Sequence, residues 1–367
     1  MRDELERIEI PGEHEAREGT WNVVATAFAE RQPVERRARM LLPAIAIAVV
    51  AAALAAVLSP AGRAVLDEVR EAVGIERAQP ALFSLPASGK LLVASVAGVW
   101  VVQQDGSKRL LGPYREASWS PFGRFVVAAR DYELAALEPD GDVRWTLTRP
   151  RVRFPRWTGT ETDTRIAYSS RQPRVVAGDG TGDAPICAIS ARRIPHAWRP
   201  GAGFVLALVA PSGQPYVVDL DGCVVRWTGA AIPGARRLEW STDGTRLLVV
   251  GATRLVILDA STGRAIAATP GVEGAFRPGS RTLARVFQRG GQSRVLIGRR
   301  GVVFSASGRL EQPVWSPDGR WLLVGWPTAD QWVFVRADGK RIRAISNVSE
   351  QFRSRSFPRL QGWCCAP

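Results

Sequence analysis

The sequence has few of the residues from which catalytic and metal sites are most often built. Its 367 residues include two His, two Met and four Cys, and no two Cys have the C-x-x-C spacing. His14 and His196 lie far apart, so we predict no metal site. The sequence also has no G-x-S-x-G elbow, Walker loop or H-E-x-x-H helix. It therefore predicts no catalytic residue, no cofactor and no enzymatic activity.

Lysine is also scarce, and nearly all of the basic charge is arginine. The lysines are Lys90, Lys108 and Lys340, whereas the formal net charge is +14. Such a surface would attract anionic cell-envelope polymers at low salt. An arginine bias is equally expected from a GC-rich genome, so the charge alone does not identify a partner. The single Arg-Gly-Gly at 289–291 predicts no nucleic-acid binding.

One long hydrophobic run is present, at residues 41–58, and it contains no charged side chain. As a helix it would span about 27 Å, close to the thickness of a bilayer core. Arg36, Arg37 and Arg39 precede it, so we predict a cytoplasmic N-terminus and an extracytoplasmic C-terminal mass. A buried core helix and a cleaved signal peptide are the alternatives.

This interpretation divides the chain into four parts and places it in the cell membrane as a single-pass protein. They are a cytoplasmic tail (1–40), a transmembrane helix (41–58), a juxtamembrane helix with a linker (59–80) and a β domain (81–367).

The β domain contains seven copies of one pattern, in which an aromatic residue is followed by a turn and then an apolar strand. The aromatic anchors recur every 36 to 42 residues, which is the length of a four-stranded propeller blade. They are Phe83, Trp119, Trp157, Trp198, Trp240, Phe276 and Trp315. We interpret them as packing residues that fill the wedges between blades. Asp-Gly pairs between later strands of the copies favour tight hairpins.

Two copies carry a recognisable motif, WSTDGTRLLVV at 240–250 and WSPDGRWLLV at 315–324, and ASWSPFGRFVV is a close variant. They resemble the W-S-P-D-G signature of TolB-type, WD-like β-propellers on bacterial single-pass membrane anchors. The resemblance implies an all-β, seven-bladed β-propeller of four-stranded blades. Copies three, four and six depart from it, with RWTGTE, AWRPGA and AFRPGS. These departures argue against an ion site that would use the motif aspartate.

The cysteines allow two disulfides in an oxidising compartment. Cys187 and Cys223 fall in neighbouring blades, so their pairing is geometrically plausible. Cys364 and Cys365 would join each other or bind a soft metal. We leave these alternatives open.

The chain continues beyond the seventh copy with an apolar segment, FPRLQGW at 357–363. It resembles the RFPRW that opens the third copy. We therefore predict that residues 356–364 pack against the first blade as an added strand. The alternative is a loose tail that caps the channel.

The function predicted from these features is a non-enzymatic scaffold that binds a protein, a peptide or an envelope polymer. The alternative is a transmembrane regulator that resembles anti-sigma proteins, with a cytoplasmic partner bound to residues 1–40. A propeller hydrolase or lyase is the third hypothesis.

The membrane topology gives a direct prediction. Protease added to intact spheroplasts should digest the β domain and leave residues 1–40 intact, because only the former would be exposed. Immunoblotting with antibodies to each end checks this. A protease-resistant β domain would refute the orientation.

Overall fold

The computed structural model describes residues 75–79, 84–186, 196–201 and 203–365. The predicted tail, the hydrophobic run at 41–58 and the juxtamembrane helix lie outside these residues and remain predictions. Within the described part of the chain, no helix has the length and apolarity that a bilayer crossing requires.

Seven antiparallel blades of four strands follow one another, as predicted, and the sheet of the last blade gains a fifth strand. Blade 1 contains β2 (Lys90–Ser95), β3 (Gly98–Val102) and β4 (Lys108–Gly112). Blade 2 contains β5 (Glu116–Trp119), β6 (Val126–Arg130), β7 (Glu133–Leu137) and β8 (Val143–Thr148). Blade 3 contains β9 (Arg153–Gly159), β10 (Thr164–Ser169), β11 (Pro173–Ala177) and β12 (Ala184–Pro185). Blade 4 contains β13 (His196–Trp198), β14 (Val205–Val209), β15 (Pro215–Asp219) and β16 (Val224–Thr228). Blade 5 contains β17 (Arg237–Trp240), β18 (Arg246–Val250), β19 (Arg254–Asp259) and β20 (Ala265–Pro270). Blade 6 contains β21 (Glu273–Phe276), β22 (Leu283–Arg289), β23 (Gln292–Ile297) and β24 (Val302–Ser307). Blade 7 contains β25 (Glu311–Trp315), β26 (Trp321–Trp326), β27 (Gln331–Arg336) and β28 (Ile342–Ile345).

The burial of a strand depends on its position within the blade. The second strands, such as β14 (VLALV) and β18 (RLLVV), are almost entirely buried because both of their faces pack against neighbouring blades. The outermost strands, such as β8 (VRWTLT) and β20 (AIAATP), are largely exposed. The core is therefore a ring of inter-blade wedges rather than one central cluster.

The six anchors within the described residues lie at or near the end of an innermost strand. Trp240 lies opposite Leu247 and Trp315 lies opposite Leu322 in the ladder between first and second strands. In blade 1 the same position is held by Trp363, opposite Leu91. Phe83, which the sequence predicted for this role, lies outside the described residues.

The C-terminal segment closes the ring, which confirms the prediction for residues 356–364. β29 (Arg359–Cys364) pairs antiparallel with β2 and forms the innermost strand of blade 1. Leu360 and Trp363 are buried, and the Trp363 ring lies 5.7 Å from that of Phe334 in blade 7. The first and last blades are thus joined by one strand and its side chains.

The connection that leads to β29 is also packed. It contains a short helix, α1 (Val348–Gln351), whose Ser349 donates to the Asp330 carboxylate through its backbone N–H and its hydroxyl. Phe352 is fully buried, with ring centroids 5.1 Å from Trp332 and 5.8 Å from Trp100. The segment fills the wedge between blades 7 and 1 and is not a loose tail.

The N-terminal side differs from the prediction. Residues 75–79 were predicted as linker, but they form β1 (Ile75–Gln79), which pairs in parallel with β28 at the outer edge of blade 7. The sequence IERAQ has no strand pattern. The pairing follows from the unpaired N–H and C=O groups that an outer strand presents.

Ring closure can be tested by truncation. Deletion of residues 359–367 should lower the unfolding temperature of the whole propeller, because it removes Trp363 from the core and leaves β2 unpaired. Differential scanning calorimetry measures the effect. Deletion of residues 366–367, which leaves β29 intact, is the control. Equal unfolding temperatures for the two deletions would show that β29 does not close the ring.

Candidate binding clefts

The turns of each blade lie on two opposite faces of the ring. The turns after the innermost strands and the hairpins before the outermost strands lie on one face, which we call the turn face. The remaining loops and the inter-blade connections lie on the other, which we call the loop face. The W-S-P-D-G motif therefore belongs entirely to the turn face.

Copies five and seven carry the complete motif with aspartate, and we call them the standard copies. In both, the aspartate accepts hydrogen bonds within the turn. The Ser316 hydroxyl donates to Asp318 Oδ1 at 2.6 Å, and Asp318 accepts the Arg320 N–H at 2.9 Å. Ser241 and Asp243 make the same contact at 2.6 Å. Hydrogen bonds from Ser241, Arg281 and Thr245 lower the pKa of the Asp243 carboxyl. No group of metal-binding side chains occurs in the described residues.

Three anchor tryptophans also bond to the preceding blade. The indole N–H of Trp198 donates to the Arg156 carbonyl at 2.9 Å, that of Trp240 to Ala197 at 3.0 Å, and that of Trp315 to Ala275 at 3.2 Å. Within the described part of the chain, the indole N–H groups of Trp119, Trp157 and Trp363 have no partner. The wedges in front of blades 1, 2 and 3 thus lack a bond that three other wedges have.

Arginines bridge the turn face between the later blades. The R-P-G copies supply two of them: Arg199 Nε donates to the Gly244 carbonyl at 2.8 Å, and Arg277 Nε donates to that of Gly319 at 2.7 Å. Both guanidinium groups also lie 5.8–5.9 Å from the ring of the next anchor tryptophan. These copies depart from the motif because their arginine caps the Asp-Gly turn of the following blade.

Two further bridges are ion pairs between neighbouring blades. Arg165 pairs with Asp221 at 2.7 Å across blades 3 and 4, and Arg281 pairs with Asp243 at 2.8 Å across blades 5 and 6. Together, arginines bridge the turn face at every junction from blade 3 to blade 7.

An aromatic cleft of about 450 Å³ opens on the turn face between blades 2 and 3. The parallel rings of Phe125 and Trp157 line it, with centroids 6.0 Å apart. Phe122 stands at its rim and is 50% exposed. Phe122 occupies the position at which other copies have the motif aspartate. The sequence contains this signal, because PFG places an aromatic side chain where the W-S-P-D-G motif has aspartate.

Charged groups surround the aromatic cleft. Arg144 pairs with Glu138 and lies 5.9 Å from the Phe125 ring. Arg124 and Glu161 are exposed on the two sides, and neither has a hydrogen-bond or ionic partner in the described residues. Asp179 also lines the cleft and accepts hydrogen bonds from Thr181, so the aromatic cleft combines an apolar interior with charges of both signs.

Contacts between blades 2 and 3 hold the walls of the aromatic cleft in place. The Trp145 indole N–H donates to the Gly178 carbonyl at 2.9 Å, and Arg149 pairs with the buried Asp183 at 2.6 Å. Burial opposes ionisation of Asp183, but hydrogen bonds from Arg174, Tyr168 and Arg149 lower the pKa of its carboxyl overall.

A second cleft, the lysine cleft, lies between blades 1 and 2 and has a volume of about 330 Å³. Its polar side chains are Lys90, Gln103 and Gln104, and the Trp119 ring and Phe122 form part of its wall. None of the described residues that line it is a carboxylate. Phe122 contributes to both clefts, so it is the ridge that separates them.

At the central channel, backbone N–H groups of three innermost strands donate to side chains of the preceding blade. The N–H groups of Phe154, Phe276 and Leu360 donate to side chains of the preceding blade at 2.5–2.7 Å; the acceptors are Glu116, Glu239 and Gln312. Burial raises the pKa of Glu239. His196, 3% exposed, packs edge-on against the Phe154 ring at 6.5 Å. These contacts are structural, so we place the candidate site on the turn face.

The three cysteines in the described part of the chain are oxidised. Cys364 and Cys365 form a disulfide with each other at the lysine cleft. Cys223 is also disulfide-bonded. Cys187 lies outside the described residues, so its pairing with Cys223 remains a prediction.

Solved structures share this fold at low sequence identity. The C-terminal WD40 domain of Sif2 matches with a TM-score of 0.50 and 13% identity, over 72% of this chain and 84% of that chain. The Cps50 (Swd1) β-propeller domain of Myceliophteria thermophila gives 0.50 and 13%, over 64% and 86%. The fold is a WD40-like seven-bladed β-propeller.

Likeness at this identity shows the fold alone. A third similar structure is the dihydro-heme d1 dehydrogenase NirN in complex with DHE, with a TM-score of 0.52 and 13% identity over 72% of this chain and 66% of that chain. Neighbours thus include both WD40 domains and an enzyme. No family model and no curated protein matches this chain, and the finer resemblance to TolB-type propellers remains a prediction.

Truncating the anchor tryptophans tests whether the wedge between blades 2 and 3 is less tightly packed than the wedges in front of blades 5 and 7. Trp240→Ala and Trp315→Ala should each destabilise the protein by about 3–5 kcal/mol, as large aromatic truncations in cores do. Trp157→Ala should have a smaller effect, because that ring borders the aromatic cleft and has no indole hydrogen bond. Chemical denaturation gives the three values. An equal loss for all three would show that the wedge between blades 2 and 3 is closed.

Proposed function

We propose that this protein is a non-enzymatic scaffold that binds a protein ligand across the turn face of blades 1–3. The exposed Phe122 ridge between two clefts carries this proposal. A half-exposed aromatic beside a partly apolar cleft is typical of a recognition surface, because aromatic anchors in pockets provide much of the binding free energy at protein interfaces.

The site is built to present Phe122. Ser120 Oγ accepts the Phe125 N–H at 2.9 Å, so the turn keeps its shape although the aspartate is missing. The residue that other blades use for turn hydrogen bonds is here a hydrophobic side chain that faces solvent. WD40 propellers commonly bind proteins, and the aromatic lining favours a polypeptide over an anionic envelope polymer.

The proposal includes the location predicted from the sequence. Residues 41–58 would anchor the chain in the cell membrane as a single span, with the propeller outside the cytoplasm. The support is the uncharged run and the arginines before it.

Site-specific photo-crosslinking in the native host tests the proposed function. Benzoylphenylalanine at position 122 should give a protein adduct under ultraviolet light. The matched control is position 132, because Tyr132 is also an exposed aromatic, at 69%, but lies on the loop face. Mass spectrometry then identifies the adduct.

A second variant separates binding from folding. Phe122→Asp restores the residue of the standard motif, so it should keep or raise the unfolding temperature while abolishing binding of the crosslinked partner. Adducts of equal yield at positions 122 and 132, or full binding by Phe122→Asp, would refute the proposed site.

A further inference from the structure

We infer that the lysine cleft receives a carboxylate of the same ligand whose hydrophobic side chain occupies the aromatic cleft. This inference rests on the proposed function and specifies its ligand: a peptide segment with a large hydrophobic residue close to a carboxylate. Either an Asp or Glu side chain or a free C-terminus would supply that carboxylate.

The hydrogen-bonding groups of the lysine cleft support this assignment. Lys90, Gln103 and Gln104 supply the polar side chains among the lining residues, and no carboxylate lines the cleft within the described residues. None of these three side chains has a hydrogen-bond partner in the described part of the chain, so their donors are available to a ligand. The buried Trp119 indole N–H is likewise unpartnered at the wall.

The contrast with other charged groups on the turn face strengthens the inference. Arg165 and Arg281 are neutralised by aspartates of neighbouring blades, and Arg199 and Arg277 are occupied by glycine carbonyls. Lys90 lies in a cleft instead and has no such partner. A free cation in a partly enclosed, carboxylate-free site favours an anionic group over a neutral one.

The shared wall explains why one ligand would use both clefts. Phe122 lines the aromatic cleft on one side and the lysine cleft on the other. Successive residues of an extended peptide advance about 3.3 Å. Residues a few positions apart would therefore lie on opposite sides of the Phe122 ridge.

Selection of random twelve-residue peptides, displayed on phage, on the full-length chain in detergent tests the inference. Selected peptides should contain a large hydrophobic residue with a carboxylate within a few positions. Replacing that Asp or Glu by its amide, or amidating the C-terminus, shows which source is used. The correct replacement should weaken binding about tenfold, as loss of a charge-assisted hydrogen bond does.

Substitutions in the protein complete the test. Lys90→Glu should weaken the selected acidic peptides about tenfold, and a new selection on it should enrich Lys or Arg instead. Lys340→Glu is the matched control, because Lys340 is an exposed lysine of the turn face that lines neither cleft. It should leave binding unchanged, as measured by fluorescence polarisation.

The outcomes distinguish this inference from the proposed function. Peptides that lose binding with Phe122→Asp, but carry no carboxylate and tolerate Lys90→Glu, would overturn the carboxylate assignment and leave the scaffold proposal in place. If no selected peptide binds the wild type more tightly than it binds Phe122→Asp, the proposed function is wrong.

Discussion

The free edge of each innermost strand is the constraint on which the ring depends. An unpaired row of backbone N–H groups beside a narrow channel must find acceptors. Side chains of the preceding blade provide them, as Glu116 does for Phe154 and Glu239 does for Phe276. In these pairs one blade satisfies the inner strand of the next, and the chain must return to blade 1 to complete the circle. β29 does so, with Gln312 of blade 7 accepting the Leu360 N–H.

The same dependence of each blade on its neighbour explains the irregular copies. A turn that ends in Asp-Gly leaves its glycine carbonyl free, and Arg199 and Arg277 of the R-P-G copies occupy two of these carbonyls. Along blades 4–7, R-P-G copies whose arginine donates a hydrogen bond therefore alternate with standard copies whose glycine carbonyl accepts it. Blades 1–3 have no such alternation, and both clefts lie there. The candidate site lies where the series of arginine bridges that links the turn face from blade 3 to blade 7 is absent.

The sequence predicted the blades well because each copy carries local signals: an aromatic at the strand end, an Asp-Gly turn and an apolar run. It also predicted β29, since FPRLQGW repeats the RFPRW pattern. It did not predict β1, whose pairing depends on the edge of β28 rather than on its own residues. Nor did it locate the clefts, because each cleft is formed by side chains that come from two blades and are distant in sequence.

Phe122 shows how much of such a site the sequence can carry. In six of the copies, the residues after the anchor either form the turn with Ser and Asp, bridge with Arg, or lack the motif altogether. Only copy two combines the complete W-S-P-x-G frame with a large apolar residue in place of the aspartate. Ser120 still accepts the Phe125 N–H, so the turn does not require an aspartate at position 122. A half-exposed aromatic side chain that lines two clefts and replaces a turn residue is best explained by contact with another molecule.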